Sequence, residues 1–339
     1  MRLTFIAETL DPSYGGIPRY CSEISKIREI DNIINFSDFF PNNNITNKLL
    51  NKLYKRKKML EEVSGKLGGM VHFAQPEIMV RSQVLDGKKV ILTVHDLAVF
   101  GTSRVTNAYG RVRSIVFKSQ FKYAINRADI ILVNSSQTKQ ELMRILGVDD
   151  KKVFVTNLGI SPKLKPMMVK KNNKIGYFGG FNKRKRVEKL ILDFLTSKMR
   201  QDHELWLYGN PDGEFRRLVK KYGKKQGVVF KGKVKENDVA KTLSSFKYFV
   251  FPTSYEGQGL PILEGIACGV PTFIYSDAIV PEEVKKFPKR ITDMDDIRLY
   301  DYGALRRHFT KESKRVRKLF SWDKTREETL KAYKLVASQ

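Results

Sequence analysis

The chain has 339 residues, enough for about two domains at roughly 150 residues each. Lys and Arg number 63 against 36 Asp and Glu, a formal charge of +27, while a 41% hydrophobic content is ordinary for a globular enzyme. No apolar run approaches the ~20 residues that span a bilayer, so an integral membrane protein is excluded and the charge is a surface property that favours anionic partners.

Residues 2–7 open the chain as a strand, because Glu8 interrupts the apolar run before a signal-peptide core can form. Further strands are expected at 32–36, 70–73, 90–95, 130–133 and 153–157, with helices between most of them. Between the second and third strands, residues 44–66 place Leu49, Leu50, Leu53 and Leu60 at helical spacing. Lys48, Lys52, Lys55, Arg56, Lys57 and Lys58 fill much of the rest. Such a helix either lies on anionic lipid or packs with one solvated face, and the residues leave both readings open. Residues 160–173, with Pro162, Pro166 and clustered Lys, read as a linker. A second set of strands follows at 174–178, 204–208, 227–231, 248–251 and 272–275. The chain is helical after Tyr302, and 311–336 is long enough to cross back to the first half. Short apolar strands alternating with amphipathic helices predict an α/β protein with two doubly wound, Rossmann-like domains. The expected division is 1–165, 166–310 and a crossing helical region at 311–339.

Several common sites are absent. No Gly-Lys pair is followed by Ser or Thr, no GxGxxG follows a strand, and neither HExxH nor GxSxG occurs. Cys21 and Cys268 are too few for a disulfide framework or a thiolate zinc site, which fits the reducing cytoplasm. Asp293 and Asp295 spell a DxD, which reads more simply as acidic residues opening the helix from Asp296.

The most informative stretch is 251–271, FPTSYEGQGLPILEGIACGVP. A strand ends, a glycine-bearing loop follows, and helical apolar spacing then runs to Gly269 and Pro271. Glu256 falls in the loop and Glu264 in the helix, while Gly257 and Gly259 allow a backbone to approach a ligand at a helix start that attracts phosphate. On these residues alone, a nucleoside diphosphate site and a surface turn with two solvated glutamates both remain open.

The Glu-x7-Glu spacing inside EGQGLPILEGIACGVP resembles the signature of the family-4 retaining glycosyltransferases, which have the two-domain GT-B fold. The resemblance extends to GGIPRY at 15–20, VHDL at 94–97, ADIILVNSSQTKQEL at 128–142 and VTNLGI at 155–160. It continues through GYFGGFNKRKRVEKLI, VVFKGKV and FSWDKTREETLKAY, leaving 37–69 and 278–310 without specific likeness. It implies that Glu264 holds the ribose hydroxyls of a nucleoside diphosphate sugar and that Glu256 lies near the donor sugar. Gly257, Gln258, Gly259 and Leu260 would offer backbone N–H groups to sugar and diphosphate. Arg184 and Lys185 match the basic pair that neutralises the leaving diphosphate. A common form has Arg where this chain has Gly180, so which cation dominates stays open. Gly15 and Gly16 would let the backbone approach the donor phosphate, and His95 would point at the donor sugar near the reacting carbon.

The resemblance thus implies a retaining glycosyltransferase that needs no cofactor and no metal, using a nucleoside diphosphate sugar and an unidentified acceptor, lipid-linked or saccharide. Lys55, Arg56, Lys57 and Lys58 would bring it to an anionic membrane as a peripheral, cytoplasmic protein. The alternatives are a non-catalytic basic protein that binds nucleic acid or lipid and a nucleic acid glycosyltransferase; the charge would also bind nucleic acid without specificity.

Overall fold

A computed structural model describes residues 1–39, 49–97, 100 and 111–338. The chain forms two compact units, 1–158 with 322–339, and 159–321. The divisions fall after Leu158 and after Ser321, not at the expected 165 and 310.

The first unit carries six parallel strands in the order β2-β1-β3-β4-β5-β6. They are β1 (Leu3–Ala7), β2 (Asn32–Asn35), β3 (Met70–Phe73), β4 (Lys89–Val94), β5 (Ile130–Val133) and β6 (Val153–Val155). The second carries β7 (Lys174–Phe178), β8 (Glu204–Tyr208), β9 (Val228–Gly232), β10 (Tyr248–Phe251), β11 (Thr272–Tyr275) and β12 (Lys289–Ile291) in the order β12-β11-β10-β7-β8-β9. Every ladder is parallel. Strands covered on both faces read as unbroken apolar runs. The LTFIA of β1, IILV of β5, YFVF of β10 and TFIY of β11 are buried throughout for that reason. β12 escaped the sequence reading because its three residues, KRI, leave one apolar side chain inside.

The expected crossing region is two helices. Tyr302–Leu319 belongs to the second unit and Trp322–Ala337 to the first. They part at Phe320 and Ser321, where Phe320 is buried in the second core and Ser321 pairs with Ile160 in an isolated parallel bridge. The last helix is tied to the first unit through polar groups. Buried His72 on β3 bonds the Tyr333 hydroxyl at 2.7 Å through Nδ1 and Thr93 Oγ1 at 2.8 Å through Nε2. Tyr20, on helix Gly16–Ile24, reaches the same Thr93 oxygen at 2.7 Å.

Candidate functional site

In parallel sheets, ligand sites lie beyond the carboxyl ends of the strands. β7 and β10 are neighbours, so the loops that follow them leave from the same edge. Two glycines follow β7, then a single turn at Lys183–Lys185, then helix Val187–Thr196. Arg186 between turn and helix sits at φ 49°, a left-handed conformation unusual for a residue with a side chain. Its guanidinium explains the strain: Nε donates to the Pro252 carbonyl at 2.7 Å and Nη2 to the Thr253 carbonyl at 2.8 Å. Two further bonds, at 2.6 and 2.9 Å, hold the Asp277 carboxylate. Arg186 thereby staples the loop after β7 to the loop after β10.

The staple brings three sequence-predicted residues together. Lys185 Nζ lies 2.6 Å from Glu256 Oε1, and Arg184 Nη1 lies 3.2 Å from Oε2. Arg184 also donates to the Tyr255 carbonyl at 2.6 Å, and Thr253 Oγ1 donates to Glu256 Oε1 at 2.5 Å. Lys185 and Glu256 are both buried, and the Lys185 ammonium stands 4.8 Å from the centre of the Phe251 ring. Burial pushes the Glu256 carboxyl up, but Lys185 and Arg184 outweigh it and hold the group below the usual carboxylate range. Two cations face one carboxylate, so the cluster carries a net positive charge. Of the basic run 183–186, only Lys183 is fully exposed.

Directly after Glu256 come Gly257, Gln258 and Gly259, all buried, and helix Leu260–Ala267. Gly259 caps this helix at φ 88° without a side-chain hydrogen bond, so no capping side chain occupies the helix start. Glu264, buried at 7% exposure, lies one turn after Leu260 on the same face. Gly265 beside it packs against the sheet, where a Cβ would come within 2.8 Å of Phe249.

In the first unit, Gly15 caps helix Gly16–Ile24 at φ 123°, again without a capping side chain. His95 follows β4 and is buried against the edge of Tyr20, with ring centres 5.0 Å apart. Its Nε2–H donates to the Ala74 carbonyl at 3.0 Å, and Nδ1 has no hydrogen-bond partner among the described residues. Burial pushes the imidazole down to about 4, so it is neutral near pH 7 and Nδ1 is a hydrogen-bond acceptor.

One expectation changes. Arg56 is not a surface charge: it is 2% exposed, donates to Glu8 Oε2 at 2.6 Å and also bonds the Glu77 carbonyl. Its burial takes it out of any membrane-facing stripe on helix Leu49–Glu62, where Lys57 and Lys58 are exposed and lie 3.8 and 3.9 Å from Glu61 and Glu62. Lys48 lies outside the described residues. As expected, the DxD lies where acidic residues open a short helix, Asp295–Leu299: Asp293 Oδ1 accepts from the Asp295 amide and Asp295 Oδ1 from the distant Lys198 amide, both at 2.8 Å. Sequence reasoning missed Arg186 and Thr253 as positioning residues, because neither the left-handed conformation nor the carbonyl contacts leave a mark in a local pattern.

Two family models match in succession, "Glycosyltransferase Family 4" over residues 70–164 and "Glycosyl transferases group 1" over 165–292. The model is also similar to a solved sucrose-phosphate synthase from Thermosynechococcus elongatus, with TM-score 0.80, 19% identity and full coverage of both chains. The chain is a GT-B glycosyltransferase. A second structural neighbour of this glycosyltransferase is HepE of Anabaena, solved with UDP and glucose, at TM-score 0.74 and 13% identity over 98% of this chain and 99% of that one. Among curated proteins, an O-antigen chain mannosyltransferase B from Escherichia coli is 25% identical over 74% of this chain and 71% of its own length. An MMP alpha-(1->4)-mannosyltransferase from Mycolicibacterium hassiacum is 25% identical over 60% of this chain and 53% of its own. The reading as a non-catalytic binding protein falls away with this assignment. Among the described residues no helix is long and apolar enough to cross a membrane.

Proposed function

We propose that the enzyme transfers a hexose, with retention and without a divalent metal, from a nucleoside diphosphate sugar bound to its second unit. The observation that carries this reading is the Arg184–Lys185–Glu256 cluster set directly before the glycine-capped helix Leu260–Ala267. Departure of the nucleotide concentrates negative charge on phosphate oxygens, and a preorganised positive cluster beside the backbone of the glycine-bearing loop 257–260 stabilises that charge. Glu256 remains ionised and orients both cations. Glu264 accepts hydrogen bonds from the ribose hydroxyls. Retention rests on the family resemblance, and the named mannosyltransferase relatives favour mannose as the sugar.

Glu264→Ala is expected to weaken nucleoside diphosphate binding roughly 10- to 150-fold, the equivalent of one charge-assisted hydrogen bond set of about 1.5–3 kcal/mol. Calorimetry with GDP and UDP checks this, and an unchanged affinity in a folded variant removes Glu264 from the nucleotide site. Turnover is expected to survive EDTA, because side chains and amides supply the positive charge. A loss restored by Mn²⁺ or Mg²⁺ would overturn the metal-free reading.

A further inference from the structure

The first unit contains a cavity of about 510 Å³ that no part of the donor chemistry uses. One wall is the outward face of helix Arg111–Arg127, where Ile115, Lys118, Lys122 and Asn126 recur at helical spacing. Phe121, Ala124 and Ile125 on the opposite face are buried in the core. Arg81 completes the basic part of the lining and Tyr123 adds an aromatic ring, with the Arg81 guanidinium carbon 5.3 Å from the ring centre. The Lys118 ammonium stands 5.9 Å from the centre of the Phe100 ring.

Three cations line this cavity and no Asp or Glu does. Among the described residues none of the three forms an ion pair, and residues 40–48, 98–99 and 101–110 contain no acid that could neutralise them. Like charges gathered around a concave surface repel one another unless an anion answers them. The Arg81 guanidinium lies over the Tyr123 ring, and its planar fork suits two-point contact with a phosphate. The cavity is open to solvent and has room for more than inorganic phosphate. Ile115, 67% exposed, and Tyr123 offer apolar surface to the remainder of a ligand.

We propose that this cavity is a second anion site that binds a phosphate ester, independent of the donor site. Two sources share that chemistry, a soluble sugar phosphate and the headgroup of a phosphorylated lipid. The test follows the Ile115 δ1-methyl signal by NMR in the full-length protein during titration with glucose 6-phosphate and, separately, with dihexanoyl phosphatidic acid below its micelle concentration. Sodium chloride at equal ionic strength is the control. The Ile115 signal is expected to shift saturably with at least one of the two esters, and affinity should fall at least tenfold in the Lys118→Gln/Lys122→Gln variant. Tighter binding of glucose 6-phosphate identifies the soluble source, and tighter binding of phosphatidic acid the lipid one. No shift with either ester, a shift that sodium chloride reproduces, or equal affinity in the variant would overturn the proposal. The remaining isoleucine methyl signals report whether the variant is folded.

Discussion

Lys185→Ala is expected to lower turnover at saturating donor by roughly 10²–10³-fold, the loss that follows removal of one charge-stabilising group from a preorganised site. The ammonium is buried, 2.6 Å from Glu256, and shares that carboxylate with Arg184 at 3.2 Å. Removing it leaves one cation against one anion, so the cluster becomes neutral where the leaving diphosphate needs positive charge. Glu256 keeps Arg184 and the Thr253 hydroxyl. The fold should therefore lose less than the about 3–5 kcal/mol of a wholly orphaned buried charge. Donor affinity should weaken less than turnover, because the charge develops most fully in the transition state. Lys185→Arg, which keeps the charge, should recover part of the rate. Initial rates with saturating donor decide the matter: an alanine variant within threefold of the wild type would reduce Lys185 to a support for Glu256.

Mild acid should destabilise the first unit through two buried histidines. Burial pushes His72 down to about 3 and His95 down to about 4. Both folded values lie below the ordinary histidine value of about 6.5, so between them the unfolded chain binds protons that the folded chain refuses. The stability is complete above pH 6.5 and declines as pH falls, at about 1.4 kcal/mol per pH unit for each residue. At pH 5 each histidine has forfeited about 2 kcal/mol on this reckoning. In the second unit, His203 and His308 are also pushed down by burial and act in the same direction on that unit. Glu77, pushed up by burial, acts in the opposite one. Comparing His72→Gln with the wild type isolates the share of one residue. Urea midpoints at pH 7 and pH 5 should show a shallower pH dependence in the variant, and identical dependence would mean that His72 accepts a proton within the fold.

Much of the architecture was readable before any coordinates. Six strands, at 70–73, 130–133, 174–178, 204–208, 248–251 and 272–275, have the bounds expected of them, because apolar runs closed by turn residues are local signals. The loop and helix around Glu256 and Glu264 were legible for the same reason: strand end, glycines, apolar periodicity and the closing Gly-Val-Pro lie within 21 residues. Arg56 shows the limit of such reading. In a run of Lys and Arg it looks like its neighbours, yet its partner Glu8 is 48 positions away. Lys118 and Lys122 looked unremarkable too, and acquire meaning from Arg81, which another part of the chain delivers to the same cavity.

Composition and local pattern by themselves determined the α/β class, the two-sheet organisation and the glycine-flanked pair of glutamates, since each depends on periodicity and turn chemistry within short windows. Only the tertiary structure decided which charges are solvated and which are buried, that Arg184 and Lys185 both meet Glu256, and that the crossing region divides into two helices at Phe320 and Ser321. Those outcomes depend on contacts between residues far apart in sequence. A side chain's charge is written in the chain, whereas its desolvation and its partners exist only once remote strands and loops are brought to the same edge.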